Sequence, residues 1–546
     1  MDQYYEWLNN EYISNEDKDI LKNMNEKEIK DAFYCDLEFG TAGIRGIMGL
    51  GTNRINKYTI GKVTVGLSNY LNKKYNNPSV VIAYDTRNNS KEYAYDTALI
   101  LNYYGIKTYI FKEVTSTPEL AFSIKQLKCN CGIVITSSHN SKEFNGYKVY
   151  NSLGGQIVPP EDNLIIKEIR CIKDFKLIKK GQINNELFDY VPDDIHINFI
   201  NENKKVIINK EIINNYSNDI RITYSSVHGV GLKTAKEIFD NLNFNNYNIV
   251  KEQCTYDGNF PTAPEPNPEY LNNYDLSIKY ALKNNSDIIL MTDPDADRLG
   301  VMYKNNSNKY ELINGNLLGV IFAYYIINNK QIKENSYMIR SIVTSPLIDK
   351  IARSKKIDIY EVLTGCKNIV KKKEELNKKG YNYLFGYEES LGYVFDINVN
   401  DKNGFSSIIC ILEILCYCKS NNISLNDYIN EIYNKFGYEI NETINIIYDC
   451  SNYKEIISNL MQKFRNDSVI FKNKNYEKID YLNEVGDNKT NAIKYIFDDK
   501  SWIILRPSGT EPKIKIYIGA SDDNIDIAKD KLSNLKQEIQ YLTKNR

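Results

Sequence analysis

Four short polar segments carry residue types that could do chemistry. Thr136-Ser137-Ser138-His139-Asn140 follows the apolar run Gly132-Ile133-Val134-Ile135, so a hydroxyl-rich loop leaves a buried strand and can present a nucleophile. Asp293-Pro294-Asp295-Ala296-Asp297-Arg298 alternates three carboxylates, a spacing that lets them converge on one hard cation. Gly386-Tyr387-Glu388-Glu389-Ser390 offers hydrogen bonds for hydroxyl groups. Arg506-Pro507-Ser508-Gly509-Thr510 combines a guanidinium fork, two hydroxyls and backbone N–H groups freed by glycine, a composition suited to a phosphate. A cation, an anion cradle and groups for hydroxyls point together to chemistry on a phosphorylated sugar.

Each segment also has a plainer reading. Ser138 and His139 could form a turn around a satisfied histidine, the aspartates a solvated acidic turn, and Glu388 and Ser390 the cap of a helix after Tyr387. Among sharper rivals, a serine hydrolase is disfavoured because no Gly-x-Ser-x-Gly elbow is present and only His139, His196 and His228 are available as bases. An EF-hand fails because Arg298 stands where its glycine is required and Lys304 where its last glutamate is. A haloacid-type phosphatase would use Asp293 as nucleophile and Asp295 as acid, but wants Thr or Val in place of Asp297. A Mg²⁺ site of carboxylates plus a phosphate oxygen is the better reading.

The elements that must position these loops are legible as a rhythm of β-branched runs and helix-length segments, which predicts βαβ units and largely parallel sheets. One unit runs through Val80–Tyr84, a helix from Lys91, Thr108–Phe111, a helix after Pro118 and Gly132–Ile135, and ends at the Ser138 loop. A second runs through Arg221–Tyr224, a helix from Lys233, Tyr247–Val250, a helix after Pro268 and Asp287–Met291, and ends at the aspartates. A third runs through Tyr337–Ile342, a helix after Pro346, Ile357–Val362, a helix near Lys371 and Tyr383–Phe385, and ends at Glu388. Loops at the carboxyl ends of strands are where open α/β sheets bind ligands. After about Gly437 the pattern changes to strands with a closing helix from Ile525, a smaller α+β domain. The expected fold class is therefore α/β, with three similar α/β domains of mixed, largely parallel sheets plus a smaller C-terminal α+β domain.

Composition bounds the partners. A chain of 546 residues is several domains long, at roughly 100 to 200 residues each. With 69 basic and 70 acidic residues, no global field favours nucleic acid or a membrane surface, and an anionic substrate needs local positive groups. The start of the chain is polar and acidic, unlike a secretory signal, which predicts a mature protein beginning near Met1. The apolar runs Leu317–Ile327 and Ile408–Cys418 fall short of the roughly 18 residues that span a bilayer. Ten cysteines are sparse, and Cys129/Cys131 and Cys416/Cys418 are spaced too closely for zinc knuckles; reduced core thiols and a cytoplasmic address are expected.

With these residues assembled, the chain resembles the α-D-phosphohexomutase family of phosphoglucomutases, phosphomannomutases and phosphopentomutases over nearly its whole length. The family's T-A-S-H-N-P loop corresponds to Thr136 through Ser141, with Ser137 and Ser141 replacing Ala and Pro. Its D-x-D-x-D-R loop is complete from Asp293 to Arg298, and R-x-S-G-T is complete from Arg506 to Thr510. G-E-x-S is matched by Tyr387-Glu388-Glu389-Ser390, with Tyr for Gly. Phe39 to Gly46 and Gly51 to Arg54 are similar to the subgroup of bacterial-type phosphoglucomutases and animal glucose/pentose enzymes, although Cys366 stands where that subgroup carries an aromatic residue.

The resemblance implies a phosphosugar mutase that interconverts glucose 1-phosphate and glucose 6-phosphate, with phosphopentomutase or phosphomannomutase activity as alternatives. A silent binding paralogue would have lost the nucleophile or metal ligands, and none is lost. It implies phosphorylation of Ser138, Mg²⁺ on Asp293, Asp295 and Asp297 with the Ser138 phosphate completing the site, and glucose 1,6-bisphosphate as intermediate and activator. Arg45, His139 and Lys148 are its candidates to orient groups or move protons, with the base unassigned. Arg298 would stand beside the metal, Glu388 and Ser390 would hold sugar hydroxyls, Thr364, Lys367 and Lys402 would add contacts, and Arg506, Ser508, Gly509 and Thr510 would hold the phosphate that is not reacting. The expected domains are 1–210 for phosphoserine, 211–316 for metal, 317–436 for sugar and 437–546 for phosphate, in a monomer or homodimer.

Overall fold

The computed structural model describes every residue except 41–42, 184–185, 449–451, 467–469, 472–473, 509–512 and 545–546. Two compact units organise the chain: Met1–Ile313 with Gly392–Ser420, and Asn314–Leu391 with Asn421–Arg546.

The first unit holds two α/β layers. The strand Cys131–Ile135 (Cys-Gly-Ile-Val-Ile) is buried along its length, as an apolar run in a central strand should be. It pairs in parallel with Ser79–Tyr84, which pairs in parallel with Lys107–Ile110. On its other side the sheet turns antiparallel, through Phe144–Asn151 to the edge strand Gly43–Ile47. That edge sets Gly43 opposite Lys148 and Arg45 opposite Gly146. In the second layer Ile222–Ser225 pairs in parallel with Tyr247–Ile249 and Ile288–Thr292, and Leu299–Lys304 folds back antiparallel on the last of these. The turn between Thr292 and Leu299 carries the three aspartates.

Three short helices precede the first sheet: Asp2–Asn9, Asn15–Lys22 and Glu26–Phe33. Ser14 and Asn25 cap the second and third. Their apolar faces bury Tyr4, Trp7, Leu21 and Phe33 around Tyr58, with Trp7 edge-on to Phe33 at 5.5 Å. Asn53 N–H donates to Ala32 O (2.9 Å), which ties the Gly51–Arg54 loop to this cap.

In the second unit Ser336–Ser341 takes Asp358–Val362 and Asn382–Glu388 as parallel neighbours. The C-terminal part is an antiparallel sheet, Tyr438–Ile447, Lys513–Asp522, Trp502–Pro507, Ile493–Phe497 and Tyr476–Asp480 in spatial order, with the helix Ile525–Lys544 after it. No single helix among the described residues is long and apolar enough to cross a membrane.

Glu439 gives this sheet a testable pH signature. Its carboxyl is buried, Oε1 accepts from Trp502 Nε1 (2.9 Å), and Oε2 has no hydrogen-bond partner. Burial pushes it up to about 7. A raised folded value means the stability is present below the ordinary carboxyl range, near 4.5, and is lost as pH rises through 7. Glu439→Gln should therefore stabilise the protein by about 2 to 3 kcal/mol at pH 8 and by clearly less at pH 5, read by urea unfolding at both pH values.

Candidate functional site

Ser138 sits just past the strand Cys131–Ile135 in a left-handed backbone conformation, φ 52°. The residue is only 3% exposed, and Oγ donates to Asp293 Oδ2 at 2.7 Å. His139 Nδ1 lies 3.4 Å from the same oxygen. Ser138 N–H donates to Thr136 Oγ1 (2.8 Å), which fixes the turn locally.

Asp293, Asp295 and Asp297 are all fully or almost fully buried, and one oxygen from each lies within 4.8 Å of the others. The turn closes because Ala296 takes a left-handed φ of 54° and Arg298 N–H donates to Asp293 Oδ1 (3.0 Å). Gly404 supports it from the helix Gly404–Ser420: its N–H donates to Ala296 O (3.2 Å), and a Cβ there would stand 2.8 Å from Arg298 O. Any larger residue would push this turn away.

Burial, with charge crowding behind it, governs the electrostatics. Burial, followed by Asp295 and Asp297, pushes the Asp293 carboxyl well above the usual range, and burial, followed by Asp295, raises Asp297. Asp295 is also buried, but Lys148 at 2.8 Å overcomes this and holds it below the usual range. Lys402 stands 3.0 Å from Asp297 Oδ2. Thr117 Oγ1 donates to Asp295 Oδ2 (2.8 Å). Asp295 Oδ1 and Asp297 Oδ1 have no hydrogen-bond partner, while Asp297 Oδ2 faces the Lys402 ammonium. Buried carboxylate oxygens without donors are costly unless a cation uses them, so the cluster has the oxygen donors of a divalent-cation site.

The residues expected at the reacting phosphate and the metal therefore meet in the first unit: Ser138, His139, Lys148, Asp293, Asp295, Asp297 and Arg298. Arg45 joins them through Nη1, which donates to Asn140 Oδ1 (3.1 Å). Lys402 belongs to the same unit, and its loop is anchored by Tyr150 Oη, which donates to Asp401 Oδ2 (2.7 Å), and by Asn403 Nδ2, which donates to Asn203 Oδ1 (2.8 Å). Thr117, Tyr150 and Asp401 carried no motif; their partners lie 147 or more residues away, counting the Lys148 contact to Asp295 among the same set.

The second unit groups the other candidates. Glu388 ends the strand Asn382–Glu388, and its Oε1 accepts from Gly365 N–H (2.5 Å), the residue that precedes the helix Cys366–Lys378. The helix-cap reading is thus corrected: the chain turns after Glu388 and no helix follows Tyr387, while the carboxylate binds the start of a different helix. This contact brings Glu388 to the loop of Thr364 and Lys367, with Ser390 in the adjoining turn. Arg506 lies on the strand Trp502–Pro507 opposite Lys515, and Ser508 N–H donates to Lys513 O (2.9 Å). The phenol of Tyr517 is pushed up by burial, then by Glu389, while Arg506 hydrogen-bonds to it and Glu388 adds to its field, so Glu388 and Arg506 share a neighbourhood within this unit. Gly509 and Thr510 lie outside the described residues.

These layers and loops define an α/β protein in which a buried serine stands beside the oxygen donors of a divalent-cation site. Four models of phosphoglucomutase/phosphomannomutase domains match in order: the alpha/beta/alpha domains I, II and III at residues 36–175, 196–306 and 314–436, and the C-terminal domain at 469–528. A phosphomannomutase of Mycoplasmoides pirum is 34% identical, with 98% of each chain covered. A phosphoglucomutase of Staphylococcus saprophyticus is 34% identical, with 93% of this chain and 95% of that one covered. Among solved structures, the open form of the Paramecium phosphoprotein pp63/parafusin shares the fold with a TM-score of 0.73 at 20% identity, covering 93% of this chain and 95% of that one. The chain belongs to the phosphoglucomutase/phosphomannomutase family, and its activity is that of a phosphosugar mutase.

Proposed function

We propose that the enzyme interconverts glucose 1-phosphate and glucose 6-phosphate through a phosphorylated Ser138, with glucose 1,6-bisphosphate as intermediate and activator. The observation that carries this reading is the 2.7 Å hydrogen bond from the Ser138 hydroxyl to Asp293, inside a buried three-aspartate cluster with unpartnered oxygens. In the forward half-reaction the bond from phosphorus to Ser138 Oγ breaks as the substrate's free hydroxyl oxygen bonds to phosphorus. The hydroxyl proton leaves to a base, and Ser138 Oγ takes up a proton and regains its hydrogen bond to Asp293. His139, Lys148 and Arg45 are the candidates for moving that proton or orienting the groups. Mg²⁺, held by Asp293, Asp295 and Asp297 with the Ser138 phosphate, would supply charge neutralisation and Lewis acidity. Lys148 and Lys402 hold Asp295 and Asp297 in place, and Arg298 adds positive charge.

Recognition is assigned to Glu388 and Ser390 for sugar hydroxyls, Thr364, Lys367 and Lys402 for further contacts, and Arg506 to Thr510 for the phosphate that is not reacting. The boundaries 1–210, 211–316, 317–436 and 437–546 remain our division of these roles, in a cytoplasmic monomer or homodimer. Arg506→Ala should leave the serine chemistry intact and lower kcat/KM about 10- to 100-fold, the loss of one charged bidentate contact, mainly through KM. It should also release more glucose 1,6-bisphosphate per turnover; wild-type values of both would remove the loop from phosphate binding.

Mannose is the second reading, favoured by the Mycoplasmoides pirum relative's name. A coupled assay across the 1-phosphates of glucose, mannose, ribose and N-acetylglucosamine separates them. Glucose 1-phosphate should have the highest kcat/KM by about tenfold, a margin that one or two hydroxyl contacts can supply. A higher value for mannose or ribose would reassign the substrate.

A further inference from the structure

The loop that carries Ser138 is held from within by Arg87, which none of the four motifs contains. The Arg87 side chain has no exposed surface. Nη1 donates to Ser141 O (2.7 Å) and Phe144 O (3.0 Å), and Nη2 donates to Ser138 O (2.5 Å) and to Asn140 O. Three carbonyls of this loop and that of Phe144, where the next strand begins, thus converge on a single guanidinium. Asp85 faces it across 3.3 Å, accepting also from Ser90 Oγ (2.7 Å) and Thr136 Oγ1 (2.6 Å). The same Thr136 oxygen accepts the Ser138 N–H, so Asp85, Thr136 and Arg87 grip both sides of residue 138. The Phe260 ring covers the guanidinium at 4.9 Å.

Two physical consequences follow. A serine at φ 52° is in a conformation that costs about 1 to 2 kcal/mol and persists only when its surroundings impose it. Peptide planarity also means that when the carbonyls of Ser138 and Asn140 turn toward Arg87, the N–H groups of His139 and Ser141 point the opposite way. Carbonyl oxygens, which would repel a phosphoryl group, are thereby kept turned to the guanidinium.

We propose that Arg87 is a positioning residue for phosphoryl transfer, fixing the Ser138 oxygen in line with the reacting phosphorus and withdrawing the loop's carbonyls from it. This rests on Ser138 being the phosphoryl carrier. A lysine keeps the charge but is a single point donor that cannot span four carbonyls. Both Arg87→Lys and Arg87→Met should fold with wild-type circular dichroism, and kcat should fall about 100-fold while KM changes less than about threefold, the effect of a misplacement near 1 Å. The rate at which Ser138 takes phosphate from glucose 1,6-bisphosphate, followed by intact mass, should fall in parallel. Thr136→Val, which removes the Ser138 N–H acceptor with little change in volume, should lower kcat about tenfold, an order of magnitude smaller than the Arg87 effect. A folded Arg87 variant with wild-type kcat, or a loss confined to KM or to the fraction folded, would overturn the proposal. If neither Arg87 variant folds, wild-type kcat in folded Thr136→Val would do so. Wild-type enzyme that takes no phosphate on Ser138 would refute the underlying reading instead.

Discussion

Replacing Ser138 with alanine is expected to lower mutase turnover about 10⁴-fold or more, because a covalent carrier has no substitute once its oxygen is gone. The fold should survive. The hydroxyl makes two contacts, to Asp293 at 2.7 Å and near His139 at 3.4 Å, whereas the loop's backbone is held by Thr136 and Arg87 through groups that alanine retains. Intact mass should show one phosphate on part of the wild-type population and none on the variant. Thermal unfolding of the variant should match wild type. Residual turnover near wild type would mean that another group carries the phosphoryl.

Asp295→Asn is expected to cost about 100-fold or more in kcat and to weaken Mg²⁺ binding, since a neutral amide replaces an anionic oxygen at a hard-cation site. Three buried carboxylates in reach of one another make the effect specific. Lys148 and Thr117 hold one oxygen of Asp295 and leave the other without a donor, so the side chain is oriented before any cation arrives. The readout independent of turnover is thermal: Mg²⁺ should raise the melting temperature of wild type and raise that of Asp295→Asn much less. Equal Mg²⁺-induced shifts in the two proteins, or a wild-type rate untouched by exhaustive chelation, would contradict the cation's role.

The positions of these residues were legible wherever local pattern carries the physics. Ile133, Val134 and Ile135 read as a buried strand because β-branched residues with no polar interruption suit a central parallel strand, and the hydroxyls beyond them had to be a loop. Asp293, Asp295 and Asp297 point to a cation because carboxylates two residues apart in one short turn can converge on it, and the fold brings the three together. The helices after Pro118 and Pro346 and the closing helix from Ile525 form where the periodicity puts them. What pattern does not encode is long-range pairing. The edge strand Gly43–Ile47, with two glycines and an arginine, lacks a strand's composition and exists because Phe144–Asn151 supplies its hydrogen bonds. Arg87 acts on carbonyls 51 to 57 residues away, and backbone acceptors leave no mark in a sequence. Asp401 meets Tyr150 across 251 residues, so the support of the Lys402 loop is visible only in the folded chain. Glu388 looks from the sequence like a hydroxyl ligand or a cap of its own helix, and its bond to Gly365 arises from a parallel connection that the local sequence does not contain.

Transfer of the Ser138 phosphate to the sugar is open to a single-turnover experiment. Enzyme loaded with isotopically labelled phosphate from glucose 1,6-bisphosphate and then desalted is mixed with unlabelled glucose 6-phosphate in the presence of Mg²⁺, quenched at successive times, and assayed by peptide mass spectrometry and for labelled sugar phosphates. The label should map to the Ser138 peptide, leave it at least as fast as kcat, and appear in equal amount on the sugar, first as glucose 1,6-bisphosphate and then, as the other phosphate returns to Ser138, as glucose 1-phosphate. Label on a different residue, or label that stays on Ser138 while glucose 6-phosphate is turned over, would contradict this.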